Sequence, residues 1–377
     1  MQFPNEIQAA LLFDRRVGDL EAIVRAFMQV EEASSGARFN VPEAKPGTFY
    51  RLFGGDGLMI TLEYLDHPAN AGLFEQTLAS MITGIVCPDI RQRLTKNRSH
   101  ILVNVSHGVL GNSPEVVQML AQLNFPMEGH SLPQFMRRLD VCALISWIAC
   151  DHAPAQAIHW TQSNQLFPGE VIADVAKMAA PGPLHIHPYL FGGQKDATGA
   201  TKVGIRTFGA RHFVGREVLV EPNALPWGAN YQTILVFLKV ATVENGYVIA
   251  HGDTFGPEDR SLSYRVLHRE AEAGDVPLFE LQPLMYREHG FVSDDYVPPG
   301  RVFDDRMPPP ADLMPAGDDA KMQLVNEWRE KRVRAEGIGG RFEVRARDDN
   351  GSPPPVRPAG SPSGGGVFGK RSTFGRR

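Results

Sequence analysis

Two strand-like segments, Thr48–Phe53 and Leu58–Tyr64, are joined only by Gly54-Gly55-Asp56-Gly57. A link this short returns the chain alongside itself, whereas parallel neighbours need a crossover of a dozen residues or more. The turn needs positive φ, which glycine supplies at low cost. An antiparallel hairpin is therefore expected here, and the rest of the fold has to accommodate it.

Other segments alternate between the two periods. Ala9–Phe13 is a short apolar run and reads as a strand. Asp19 stands as an N-cap before Leu20, Ile23, Val24 and Phe27 at helical spacing, and Gly36 lies just past the end. Asn70 opens a helix carrying Leu73, Phe74, Leu78, Met81 and Ile82. His100–His107 alternates, with Ile101, Val103 and Val105 on one face, and Ser113-Pro114 marks a helix start. A long central helix is expected over Pro133–Ala149, buried along Phe135, Leu139, Cys142 and Ile145. Ala157–Trp160 reads as a strand and Pro168–Met178 as a helix. Strands are expected at Leu184–Phe191, Val203–Phe208 and Glu217–Glu221, then a helix over Asn230–Val240. Tyr247–Ala250, Tyr264–His268 and Leu278–Leu281 close the series as strands.

The alternation lacks the regular rhythm of a doubly wound fold. It predicts an α+β protein with a largely antiparallel sheet and packed helices. Residues 1–125 and 126–290 have similar inventories, compatible with two pseudo-duplicated halves, although no sequence repeat links them. Pro-rich breaks at 297–300 and 307–310 mark a linker over 291–344, with one short helix expected at 320–336. Beyond Arg345 the chain is Gly, Pro, Ser and Arg, a composition that predicts a disordered basic tail over 345–377.

The net charge of −5 is unevenly spread. Lys331–Arg377 holds 11 basic and 4 acidic residues, which leaves a strongly acidic body. Such a body argues against a nucleic-acid-binding core, because phosphate contacts need a basic face. Three cysteines are too few for a disulfide scaffold and suit a reducing compartment. Met1–Glu6 has no signal-peptide character, and the longest apolar stretch, Val141–Cys150, is about half a membrane span. A cytoplasmic location without a membrane span is expected.

Candidate chemistry is sparse. His185 and His187 lie two apart on an expected strand, so both would share a face, but no carboxylate follows closely enough to complete a metal site. No metal or cofactor is therefore expected. His251 and Asp253 are also two apart, beside Gly252 and Gly256, and suit a tight turn better than acid–base work. Arg216 and Glu217 form a candidate binding pair at a strand end. At the C-terminus, Phe368-Gly369-Lys370-Arg371 is echoed by Phe374-Gly375-Arg376-Arg377. Phe368, Arg371, Phe374 and Arg377 could thus anchor the tail on an acidic surface. There is no Gly-x-Ser-x-Gly elbow, Walker loop or His-Glu-x-x-His.

Three segments taken together, Val214–Pro222, the apolar helix after Asn230, and His251-Gly252-Asp253-Thr254-Phe255-Gly256, carry a family resemblance. Over about residues 200–285 the chain resembles the bacterial domain-of-unknown-function family 4261. Ala9–Phe13, His100–Val105 and Ala157–Trp160 fit the same pattern more loosely. The resemblance implies a cytoplasmic bacterial α+β protein of uncharacterised activity and carries over no catalytic residues. The expectation is a non-catalytic module of adaptor, chaperone or immunity type that binds a protein partner. The alternative is a hydrolase or metal-dependent enzyme using His185, His187, His251 and Asp253.

Overall fold

A computed structural model describes residues 3–107, 131–195, 201–244, 248–257, 259–271 and 275–296. All of them belong to one compact unit. The expected helix start at Ser113, the helix over 320–336 and the tail residues Phe368, Arg371, Phe374 and Arg377 lie outside the described residues.

The architecture is α+β, with two mostly antiparallel sheets. The first has the order β2-β3-β4-β5-β1-β6-β7. Its strands are β1 (Glu6–Phe13), β2 (Phe39–Lys45), β3 (Phe49–Gly54), β4 (Leu58–Leu65), β5 (Ser99–His107), β6 (Ala157–Trp160) and β7 (Gln165–Pro168). The second has the order β11-β12-β13-β10-β9-β8. It is built from β8 (His187–Lys195), β9 (Thr201–Phe208), β10 (Glu217–Asn223), β11 (Thr254–Phe255), β12 (Leu262–Arg269) and β13 (Leu278–Tyr286), with β14 (Phe291–Val292) paired to β13. The β10–β13 pair is parallel.

The helices are α1 (Leu20–Ser35), α2 (Glu75–Ala79), α3 (Met81–Val86), α4 (Ile90–Thr95), α5 (Leu132–His152), α6 (Ile172–Val175), α7 (Arg211–Val214) and α8 (Trp227–Lys239). Asp19 caps α1 as expected, accepting from the Ala22 N–H at 2.9 Å, and Gly36 closes it at φ +70°. The Gly54–Gly57 turn joins β3 to β4, with Gly57 at φ +82°. Ser131 and Gln134 form a capping box at the start of α5.

Both faces of β1 are covered, which explains why Ala9–Phe13 is a continuous apolar run rather than an alternating one. Ala9, Leu11 and Phe13 face the main core with α1 and α5. Ala10 and Leu12 face a second cluster with Phe74, Cys87 and Ile90. Phe135, Leu139, Cys142 and Ile145 of α5 are all fully buried. Phe135 meets Phe213 of α7 at a ring separation of 5.1 Å, so the main core runs on under the second sheet.

The sequence-derived division at 125/126 falls inside the first layer, because α5 packs on β1 and β5 while β6 pairs with β1. The sheets change over between Pro168 and His187. The two share a plan even so. In each, one strand leads into a long helix (β1 to α1, β10 to α8), with a meander on one flank and a hairpin on the other.

Other expectations need correction. Pro168–Met178 holds only a 3₁₀ turn and the single turn α6, and β7 precedes it. Val248–Ala250 is not a strand. The helix expected from Asn70 to Ile82 is three short pieces, broken at Ser80. No described helix is long and apolar enough to cross a membrane.

Cys87 and Cys142 are buried, and burial pushes the Cys87 and Cys150 thiols up to about 12. Ellman's reagent at pH 8 should therefore find no fast-reacting thiol in the native protein, and all three after unfolding. A rapid native reaction of any one would contradict this packing.

Candidate functional site

A cleft of about 270 Å³ opens where the β6–β7 turn, the α2–α3 junction and the β8–β9 hairpin meet. Its chemistry begins at the broken helix. Ser80 has extended backbone angles (φ −74°, ψ 127°) and occupies the N-cap position of α3. An N-cap serine ordinarily accepts a hydrogen bond from the first helical turn. This one makes no capping bond, and its Oγ lies 2.7 Å from His187 Nε2.

His187 opens β8, with its Nδ1 3.0 Å from the Asn164 carbonyl oxygen. A carbonyl can only accept, so Nδ1 carries the proton and Nε2 presents a lone pair to the Ser80 hydroxyl. Burial lowers the His187 pKa below its ordinary value, partly opposed by its backbone hydrogen bonds to Asn164 and Ser163. The ring is therefore neutral near pH 7. Ser80 and His187 are 6% and 4% exposed, yet both contribute to the cleft wall.

Asn164 fixes this geometry. It closes the β6–β7 turn at φ +48°, a left-handed conformation that asparagine tolerates better than most residues. Its side-chain oxygen accepts from Thr77 Oγ1 (2.8 Å) and pairs with His159 Nε2 (3.0 Å), while its amide donates to Gln76 (3.1 Å). One residue thus ties the turn to α2 and orients the imidazole.

The opposite wall is held by Glu217. Its carboxylate accepts from Thr207 Oγ1 (2.8 Å), Gly209 N–H (3.0 Å) and Ala210 N–H (3.1 Å). Burial raises its pKa, while these bonds and Arg211 act in the other direction. Gly209 sits at φ +101°, and a Cβ there would lie 2.4 Å from the His185 carbonyl oxygen, so only glycine fits. Arg211 is 55% exposed and stands 4.0 Å from Glu217. His212 Nδ1 accepts from Gln162 Nε2 at 3.1 Å.

The structure separates the residues singled out from sequence. His185 is not on a strand with His187 but in the turn before β8, where its Nδ1 accepts from Gly182 N–H at 3.2 Å and its ring faces Trp160. Only His187 contributes to the cleft wall. His251 and Asp253 precede β11, at the far edge of the second sheet from β8, roughly five strand spacings of about 4.8 Å away. They form a turn around Gly252, as expected, and the His268 N–H donates to His251 Nδ1. The four residues proposed for an enzyme therefore do not converge.

Arg216 and Glu217 are both buried and point to different partners. Arg216 binds Glu270 at 2.6 Å and lies over the Phe279 ring, whereas Glu217 faces the cleft. Among the described residues no three His, Cys, Asp or Glu side chains form a group that could hold a metal. Ser80 and Asn164 were missed in the sequence. The one trace of Ser80 was an N-cap residue type inside an otherwise continuous helical pattern.

No family model matches the chain, and comparisons with curated proteins and with solved structures found no match.

Proposed function

We propose that the protein is a serine hydrolase in which Ser80 is the nucleophile, His187 the general base and the Asn164 carbonyl the group that orients the base. The observation that carries this reading is the continuous bond chain from Ser80 Oγ to His187 Nε2 and from His187 Nδ1 to Asn164 O. It has the relay logic of a nucleophile, a base and an orienting group, with a backbone dipole in the third place.

In the first step Ser80 Oγ bonds to the acyl carbon of the substrate, and its proton passes to His187 Nε2. The tetrahedral species collapses by breaking the bond to the leaving group, which takes that proton. A water molecule then gives a proton to His187 and adds to the acyl-enzyme. Ser80 recovers its proton as the acid is released.

The test is covalent labelling with an ethyl fluorophosphonate and hydrolysis of p-nitrophenyl acetate. Ser80 should be labelled stoichiometrically, and Ser80→Ala should reduce kcat/KM by about a thousandfold or more. Because His187 must be neutral, kcat/KM should fall on the acid side with a midpoint below the 6.5 of an ordinary imidazole. A folded wild-type protein with no labelling would make the Ser80–His187 bond a structural tie between α3 and β8.

That outcome would favour a second reading, a protein-binding module. Its support is the apolar surface near the α2–α3 junction, where Leu73, Met81 and Ile85 are 62%, 61% and 49% exposed.

A further inference from the structure

We infer that the substrate carries a short to medium apolar acyl chain, which lies along Tyr189 and Phe208. This rests on the assignment of Ser80 and His187 as nucleophile and base. The two aromatic residues belong to the same face of the β8–β9 hairpin as His187. Phe208 is the direct cross-strand partner of His187, and Tyr189 is two residues further along β8. The rings form a chain of edge contacts, with 6.1 Å between the His187 and Phe208 centroids and 6.0 Å between Phe208 and Tyr189.

Phe208 and Tyr189 are 41% and 44% exposed, although the imidazole they flank is buried. An apolar surface therefore runs outward from the base itself. The next residue on this face, Arg206, is engaged by Asp275, so its charge is already paired. On the nucleophile side, Met81 directly follows Ser80 and is also exposed. The remaining walls are polar, with Gln76, Gln162 and Arg211. The acyl bond attacked by Ser80 would thus place its acyl chain on the aromatic side and a polar leaving group on the other. The cleft volume of about 270 Å³ is at the small end for ligand sites, which limits the acyl chain to a few carbons to medium length.

The experiment compares labelling rates of the full chain with ethyl and octyl fluorophosphonates. In each case Ser80 Oγ would bond to phosphorus, fluoride would leave and the serine proton would pass to His187. The octyl reagent should label at least about tenfold faster, a modest share of the roughly fourfold per methylene that full burial provides. Tyr189→Ser, at an exposed position, should narrow this ratio by about threefold or more, and Phe208→Ser by at least as much. Equal rates for the two reagents, or an unaltered ratio in Tyr189→Ser, would overturn the acyl inference and leave Ser80 as a nucleophile. No labelling of Ser80 by either reagent would overturn both.

Discussion

The native fold is expected to fail in mild acid, with its thermal midpoint level near pH 8 and falling steeply between pH 6 and 4.5. Burial pushes His107, His212 and His268 to about 4 and His185 to about 3, with neighbouring arginines adding to the shift at the first three. In the unfolded chain each would titrate near 6.5. About a unit or more above 6.5 the histidines are neutral in both states and contribute almost no pH dependence. As pH falls below 6.5, the unfolded chain gains protons that the native state refuses until about 4, so stability is lost across that window. Each such proton tilts stability by about 1.4 kcal/mol per pH unit. Four together approach about 5 kcal/mol per unit, against a total of about 5–15 kcal/mol for a typical domain. Glu6, Asp140 and Glu217, whose pKa values burial raises, take up protons first in the native state and offset part of the loss. Circular dichroism melts at half-unit pH steps check the result. A midpoint unchanged between pH 7 and 5 would show that these imidazoles are hydrated.

How much was legible in the sequence depends on whether a local signal or a distant partner decides each element. Asp19, Gly36 and the Gly54–Gly57 turn act within a few residues, and the structure places them as expected. Phe135, Leu139, Cys142 and Ile145 share one helix face, so their burial was readable from spacing alone. The α+β class followed from the same signals. The interruption at Ser80 was not readable, because its partner His187 is 107 residues away and no propensity encodes that bond. His185 and His187 looked alike in a period-two pattern, yet the turn at Gly182 removes the first from the strand. Asn164 acts through a backbone carbonyl, a group that every residue type carries. Glu217 was found by sequence, but as half of a pair with Arg216, and the two face separate partners.

Replacing Glu217 by alanine should be among the most damaging single changes in the second sheet. Its carboxylate is the acceptor for three donors at once, the Thr207 hydroxyl and the Gly209 and Ala210 amides. Thr207 in turn accepts from the Val218 N–H at 2.7 Å, so the network ties β9 to β10 and sets the start of α7. All of these groups are buried, and a buried donor left without an acceptor costs about 1–3 kcal/mol. With partial relaxation, Glu217→Ala should lose about 3–5 kcal/mol, a drop of roughly 5–8 °C in the thermal midpoint of a body this size. Glu217→Gln keeps one acceptor oxygen but turns an amide N–H₂ towards donors, so an intermediate loss is expected. Hydrogen exchange at Gly209 and Ala210 should accelerate in Glu217→Ala before global unfolding does. Because Gly209 and Arg211 form one wall of the cleft, fluorophosphonate labelling of Ser80 should slow in the same order, glutamine less than alanine. A stable Glu217→Ala protein with protected Gly209 and Ala210 amides would mean that water or a neighbouring group replaces the carboxylate, and that the wall is held by packing alone.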